Sequence, residues 1–191
     1  MKIEDDINFK ISENVYEPSE DTYLLLSLVD VKKDEKVLDI GCGSGIIAIH
    51  CARNGGVVTA VDISKQAIKT TEKNALSNDV DITIKKSDLF SNINSTYDVI
   101  IFNPPYLPKH KNLKLDKRWD GGDRGDESIV KFLKNAERYL NEEGRIYMCF
   151  SDITPCDKIK KIIEERYTKV KELNKTFRFE TLYAIEIHSK K

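Results

Sequence analysis

The chain has 191 residues, of which 40% are hydrophobic and 33% charged, with a formal net charge of −1. That balance argues against a disordered or membrane-spanning chain, and it gives no overall electrostatic pull toward nucleic acid. The length suits one domain, taken as residues 1–191.

The acidic start, Met1-Lys2-Ile3-Glu4-Asp5-Asp6, has no apolar stretch behind it. No signal peptide is therefore read, and the expected location is cytoplasmic. Residues 20–29 have helical periodicity, with Leu24, Leu25 and Leu28 on one face. Residues 36–40 form a short buried strand that runs into a glycine loop. Helix resumes over 46–54 and is stopped by Gly55-Gly56. A second strand spans 57–61, closed by Asp62, and Ser64 caps a helix through about Ser77. Strands follow at 81–86 and 97–102, the latter ended by a proline pair. A helix is predicted over 126–140, a strand over 145–150 and a helix over 155–167. Two β-leaning segments, 170–173 and 179–188, close the chain.

These seven strands alternate with helices and most are too apolar for one-sided exposure. They predict an α/β fold, a mostly parallel sheet with helices on both faces and an antiparallel C-terminal hairpin. The segment 107–125, rich in Lys, Asp and Gly, is a long loop of the kind that often carries function. The cysteines Cys42, Cys51, Cys149 and Cys156 have no C-x-x-C spacing, and the three histidines are scattered, so no metal site is expected.

Asp39-Ile40-Gly41-Cys42-Gly43-Ser44-Gly45 lies between the first strand and its helix. Glycines there permit a tight turn and close approach of a ligand to the backbone. A dinucleotide loop wants G-x-G-x-x-G, and its third glycine would fall on Ile46. The acids decide between ligands. Asp39 would repel a pyrophosphate but suits the sulfonium and ammonium groups of S-adenosylmethionine. Asp62 is placed to take ribose hydroxyls. Asp88 can accept from an adenine amino group, while Leu89 and Phe90 wall the ring.

The strand over 97–102 runs into Asn103-Pro104-Pro105-Tyr106. Prolines end strands, but they do not explain a polar amide where ligands bind in such folds. A planar –NH₂ group has two N–H donors and a lone pair tied up by conjugation. To methylate it, an enzyme holds both hydrogens on acceptors and aims the nitrogen at the methyl group. The Asn103 side-chain oxygen and the Pro104 carbonyl are the acceptors, Pro105 stiffens the turn, and Tyr106 stacks on the flat group.

With these motifs the chain resembles the release-factor glutamine methyltransferases of the HemK/PrmC type, in particular their short archaeal and eukaryotic branch. The resemblance rests on Val15-Tyr16-Glu17-Pro18-Ser19-Glu20-Asp21-Thr22, on the glycine loop, on Phe102 to Pro108, and on Trp119-Asp120-Gly121-Gly122-Asp123-Arg124-Gly125. It implies a Rossmann-like class I methyltransferase fold and S-adenosylmethionine as cofactor. It also implies cofactor contacts from Thr22, Asp39, Gly41, Gly43, Gly45, Asp62, Ile63, Asp88, Leu89 and Asn103. Tyr16, Pro18, Tyr106 and Trp119 would meet the substrate, the glutamine of a Gly-Gly-Gln loop in a class I translation termination factor. Relatives in this branch work with a small zinc-binding activator subunit that extends the sheet at the strand corresponding to Ile82–Lys86. An N6-adenine methyltransferase acting on DNA or RNA uses the same chemistry, and a protein lysine methyltransferase is a further alternative. The near-neutral charge and the lack of length for a target-recognition domain weigh against stable nucleic-acid binding.

Overall fold

The computed structural model describes residues 7–106 and 124–190. Five α-helices and seven strands are defined among them: α1 (Glu20–Leu28), β1 (Lys36–Ile40), α2 (Ile46–Arg53), β2 (Val57–Asp62), α3 (Lys65–Ser77), β3 (Ile82–Lys86), β4 (Tyr97–Phe102), α4 (Glu127–Ala136), β5 (Leu140–Ser151), α5 (Asp157–Arg166), β6 (Tyr167–Thr176) and β7 (Thr181–Ser189). The strands form one sheet in the order β3-β2-β1-β4-β5-β7-β6. The pairs from β3 through β5 are parallel, and β7 is antiparallel to both β5 and β6.

Side chains alternate across a strand, and both faces of this sheet are covered. On one face Val37, Val58, Val99, Ile101, Tyr147 and Cys149 pack with α1 and α2. On the other, Leu38, Ile40, Ile100, Phe102, Ile146 and Met148 pack with α4 and α5. This two-sided burial is why the parallel strands read as nearly continuous apolar runs. Each fully buried Leu or Ile contributes about 1.5–3 kcal/mol relative to exposure. Ser64 caps α3 as its sequence suggests, with its side-chain oxygen accepting from the Ala67 N–H at 3.3 Å.

Four boundaries differ from the sequence reading. The helix predicted over 126–140 ends at Ala136, and a 3₁₀ turn, Glu137–Tyr139, leads into β5. Leu140 pairs with Tyr97 at the foot of β4, so β5 begins before Arg145, with a register shift between the two positions. The helix predicted to reach Tyr167 stops at Arg166, because Tyr167 opens β6 and donates its hydroxyl to the Leu133 carbonyl at 2.6 Å. The strand predicted at 170–173 spans Tyr167–Thr176, held by its ladder to β7. Trp119 and most of the predicted loop 107–125 lie outside the described residues.

At the head of α2, Gly41, Gly43 and Gly45 have φ of 70°, 54° and 85°, the left-handed region that favours glycine. The Gly41 and Cys42 amides both donate to the Val61 carbonyl, at 2.7 and 3.0 Å, which binds the loop to the end of β2. A Cβ on Gly45 would sit 2.8 Å from Thr71 Cγ2. Gly45→Ala therefore combines backbone strain with overpacking, and is expected to cost about 2–4 kcal/mol. Urea denaturation of the two proteins checks this, and an unchanged midpoint would contradict it.

Candidate active site

The parallel strands end on one side of the sheet, and a cavity of about 920 Å³ opens there. The connections after β1, β2, β3 and β4 wall it, and the segment before α1 crosses it with Tyr16 and Pro18. The fold brings into one place groups that are far apart in the chain. Tyr16, Pro18, Thr22, Gly41, Gly43, Asp62, Ile63, Asp88, Leu89, Asn103, Pro104, Pro105 and Tyr106 all border the cavity. Asp39 and Gly45 are not among the residues that border it. Trp119 is outside the described residues.

Asp62 ends β2 and is tied to the glycine loop. Its Oδ2 accepts from the Gly43 amide at 3.1 Å and its Oδ1 from the Ser64 amide at 2.8 Å. Burial raises its pKa even against these bonds. Asp39, on the α2 face of β1, is 1% exposed, and its carboxylate oxygens lack a well-formed hydrogen bond among the described residues. Burial, helped by the charge of Asp62, pushes its pKa up to about 7. Asp88, on the far side, accepts from Lys131 Nζ at 3.0 Å. Lys131 is a cavity residue that the sequence did not single out, because α4 has to fold across the site to bring it there.

Asn103 leaves β4 with its side chain fixed on one side only. Its Nδ2 donates to Asp21 Oδ2 at 3.1 Å and to Thr22 Oγ1 at 3.2 Å, both on the first turn of α1. Its Oδ1 is buried with no partner among the described residues. Asp21 is the second residue the sequence reading left without a role. It is 3% exposed, and its Oδ1 accepts from Tyr16 Oη at 2.5 Å and from the Thr22 amide at 2.7 Å. Burial, then the neighbouring Asp21 charge, raises the Tyr16 pKa, so the phenol stays a donor. After Asn103, the Pro105 carbonyl accepts from Ser128 Oγ at 3.3 Å and the Tyr106 carbonyl from Thr154 Oγ1 at 2.8 Å. Pro104, between Asn103 and these anchored carbonyls, borders the cavity. Asn103 Oδ1 is thus without a partner among the described residues, in a residue that borders the cavity.

These residues fit S-adenosylmethionine. The volume suits a small-molecule site. The left-handed glycines strip the loop of side chains where a ligand would approach, and Asp62 at the cavity wall, with the buried Asp39 near enough to feel its charge, gives this side an acidic character suited to a cationic ligand. Among the described residues no His, Cys, Asp and Glu cluster could hold a metal.

Similarity to known proteins agrees with this chemistry. The methyltransferase small domain family matches residues 17–183. A Methanocaldococcus jannaschii protein named as a protein N5-glutamine methyltransferase is 42% identical over 154 residues, 78% of each chain. The release factor glutamine methyltransferase of Streptococcus pneumoniae is 32% identical over 156 residues, 74% of this chain and 56% of its own, so this chain spans little more than half of that relative. Among solved structures, the Encephalitozoon (E. cuniculi) Mtq2–Trm112 complex, which methylates the eRF1 termination factor, matches with a TM-score of 0.71 and 25% identity over 91% of this chain and 98% of that one. The partnerless Asn103 oxygen at the end of β4, the glycine loop with its acids, and these relatives agree: the chain belongs to the methyltransferase small domain family, as an S-adenosylmethionine-dependent methyltransferase.

Proposed function

We propose that this enzyme methylates the side-chain amide nitrogen of a glutamine, the one in the Gly-Gly-Gln loop of a class I translation termination factor. The observation that carries the reading is the state of Asn103: both its N–H groups are spent on Asp21 and Thr22, and its buried oxygen is left open. A primary amide offers two N–H groups to Asn103 Oδ1 and the Pro104 carbonyl, and a flat face to Tyr106. S-adenosylmethionine supplies a methyl group on a sulfonium. Because that transfer is downhill, the residues serve to position and to exclude water rather than to act as a strong base. Once the new C–N bond exists, the nitrogen sheds one proton to solvent. Support for glutamine over adenine comes from the relatives that carry that activity in their names.

The same reading gives the protein a cytoplasmic place and a partner. β3 is an edge strand, with Thr83, Lys85 and Lys86 exposed. Ile82 and Ile84 are partly buried against the molecule's own core. What the edge offers is backbone, the feature used in strand addition. We assign this edge to a small zinc-binding activator subunit; that a similar protein, Mtq2, works in a complex with Trm112 supports a partner subunit.

The test is methyl transfer from labelled cofactor to termination factor or to DNA, with and without such a subunit, read by mass spectrometry. Label on the Gly-Gly-Gln glutamine is expected, raised by the subunit. Label on DNA alone overturns the glutamine reading, and equal rates without co-elution of the subunit overturn the partner.

A further inference from the structure

Asn103 can serve as an acceptor only if its amide is held one way round, since the flipped rotamer would present –NH₂ to an –NH₂ substrate. Nothing within Asn103 or the prolines sets that choice. Its surroundings do. Asp21 Oδ1 receives Tyr16 Oη at 2.5 Å, the Thr22 amide at 2.7 Å and Thr22 Oγ1 at 3.3 Å. Asp21 Oδ2 is left facing Asn103 at 3.1 Å. Thr22 directs its hydroxyl hydrogen to Asp21, so toward Asn103 it can only accept. A carboxylate oxygen also only accepts. Asn103 therefore meets two pure acceptors on one side, and its –NH₂ must turn there, which leaves Oδ1 on the opposite side, buried and without a partner among the described residues.

We propose that Asp21 is a positioning residue whose charge fixes the amide of Asn103 so that its oxygen faces the methyl acceptor. This rests on the reading of Asn103 given above. The three donors on Oδ1 make the geometry directional. In Asp21→Asn the carbonyl oxygen takes the place occupied by those donors' partner, and the new –NH₂ faces Asn103. The hydrogen-bond count is kept if Asn103 flips, and that flip turns its –NH₂ toward the substrate. The reciprocal double variant, Asp21→Asn with Asn103→Asp, restores the polarity. The amide at 21 then donates to one oxygen of the carboxylate at 103, and its other oxygen faces the cavity as an acceptor.

The experiment compares wild type, Asp21→Asn and the double variant for kcat, KM and cofactor affinity. Asp21→Asn should lose about 10²–10³ in kcat, the cost of removing a preorganised transition-state hydrogen bond, with cofactor affinity and melting temperature near wild type. The double variant should recover at least about tenfold, one such bond regained. A merely structural role predicts loss of melting temperature and no recovery on swapping. Asp21→Asn as active as wild type, or a double variant no better than the single, overturns the proposal. A second reading needs no acceptor substrate. The Asn103 side-chain amide protons, followed by NMR in asparagine-labelled protein, should exchange at least about tenfold faster in Asp21→Asn, as expected for losing a bond to a charged group. Slow exchange in both overturns the positioning role. A wild type that leaves glutamine unmethylated while exchange behaves as expected fails the substrate reading alone.

Discussion

Asn103→Ala is expected to lower kcat by about 10²–10³ while the enzyme still binds its cofactor, by analogy with deletion of one oxyanion-hole donor. The side chain lies between β4 and the first turn of α1, with Nδ2 committed to Asp21 and Thr22 and Oδ1 open. Alanine removes the open acceptor, so the substrate –NH₂ loses the group that holds it in line. It also leaves Asp21 Oδ2 without its donor in a buried place, at an expected cost of about 1–3 kcal/mol in stability. The two effects separate by measurement. Calorimetric cofactor titration should give a Kd near the wild-type value, and single-turnover transfer should give the rate loss. A variant within a few-fold of wild-type rate would remove Asn103 from the chemistry. One that no longer binds cofactor would make its role architectural.

Cofactor affinity should fall about tenfold per pH unit below about 7, the slope expected when binding requires one carboxyl to ionise. The group is Asp39, held at about 7 by burial and by the Asp62 charge. Its folded value lies above that of the unfolded chain. The stability it gives is therefore complete below the ordinary aspartate range and is lost as pH rises from there through about 7. A bound cation reverses the preference by favouring the ionised form, so binding below pH 7 releases a proton. By linkage the cofactor must then bind more tightly to the ionised protein. An opposite charge lowers a carboxyl by about one to three pKa units, so Asp39→Asn should weaken binding by about 10–10³-fold at pH 8 and flatten the profile between pH 6 and 8. Titration calorimetry at the two pH values, in buffers of different ionisation heat, reads both the affinity and the proton count. A flat wild-type profile with no proton release would show that Asp39 is not in electrostatic contact with the ligand.

The alternation of strand and helix was legible in the chain because parallel strands buried on both faces must be apolar throughout, as in Val37 to Ile40 and Val99 to Phe102. Boundaries failed where the chain is polar. β6 is exposed along nearly its whole length and owes its extent to the ladder with β7, which has no local signature. Leu140 likewise enters β5 because Tyr97 is there to pair with it.

The glycine loop, Asp62, Asp88 and Asn103-Pro104-Pro105-Tyr106 could be read from sequence because each sits at the carboxyl end of a recognisable strand, and in a parallel sheet those ends meet. Three things needed the tertiary structure. Lys131 reaches Asp88 only because α4 packs across the sheet. Asp39 acquires its raised pKa only because folding takes its carboxyl out of water beside Asp62, with no more than a weak backbone contact from Ala48 to offset it. Asp21 meets Asn103 across 82 residues, through a contact between α1 and the end of β4. The sequence by itself determined which groups could do the chemistry, since residue type and strand position are local properties. Only the tertiary structure decided which way round the Asn103 amide is held, because that orientation is set by a carboxylate and a hydroxyl distant in the chain.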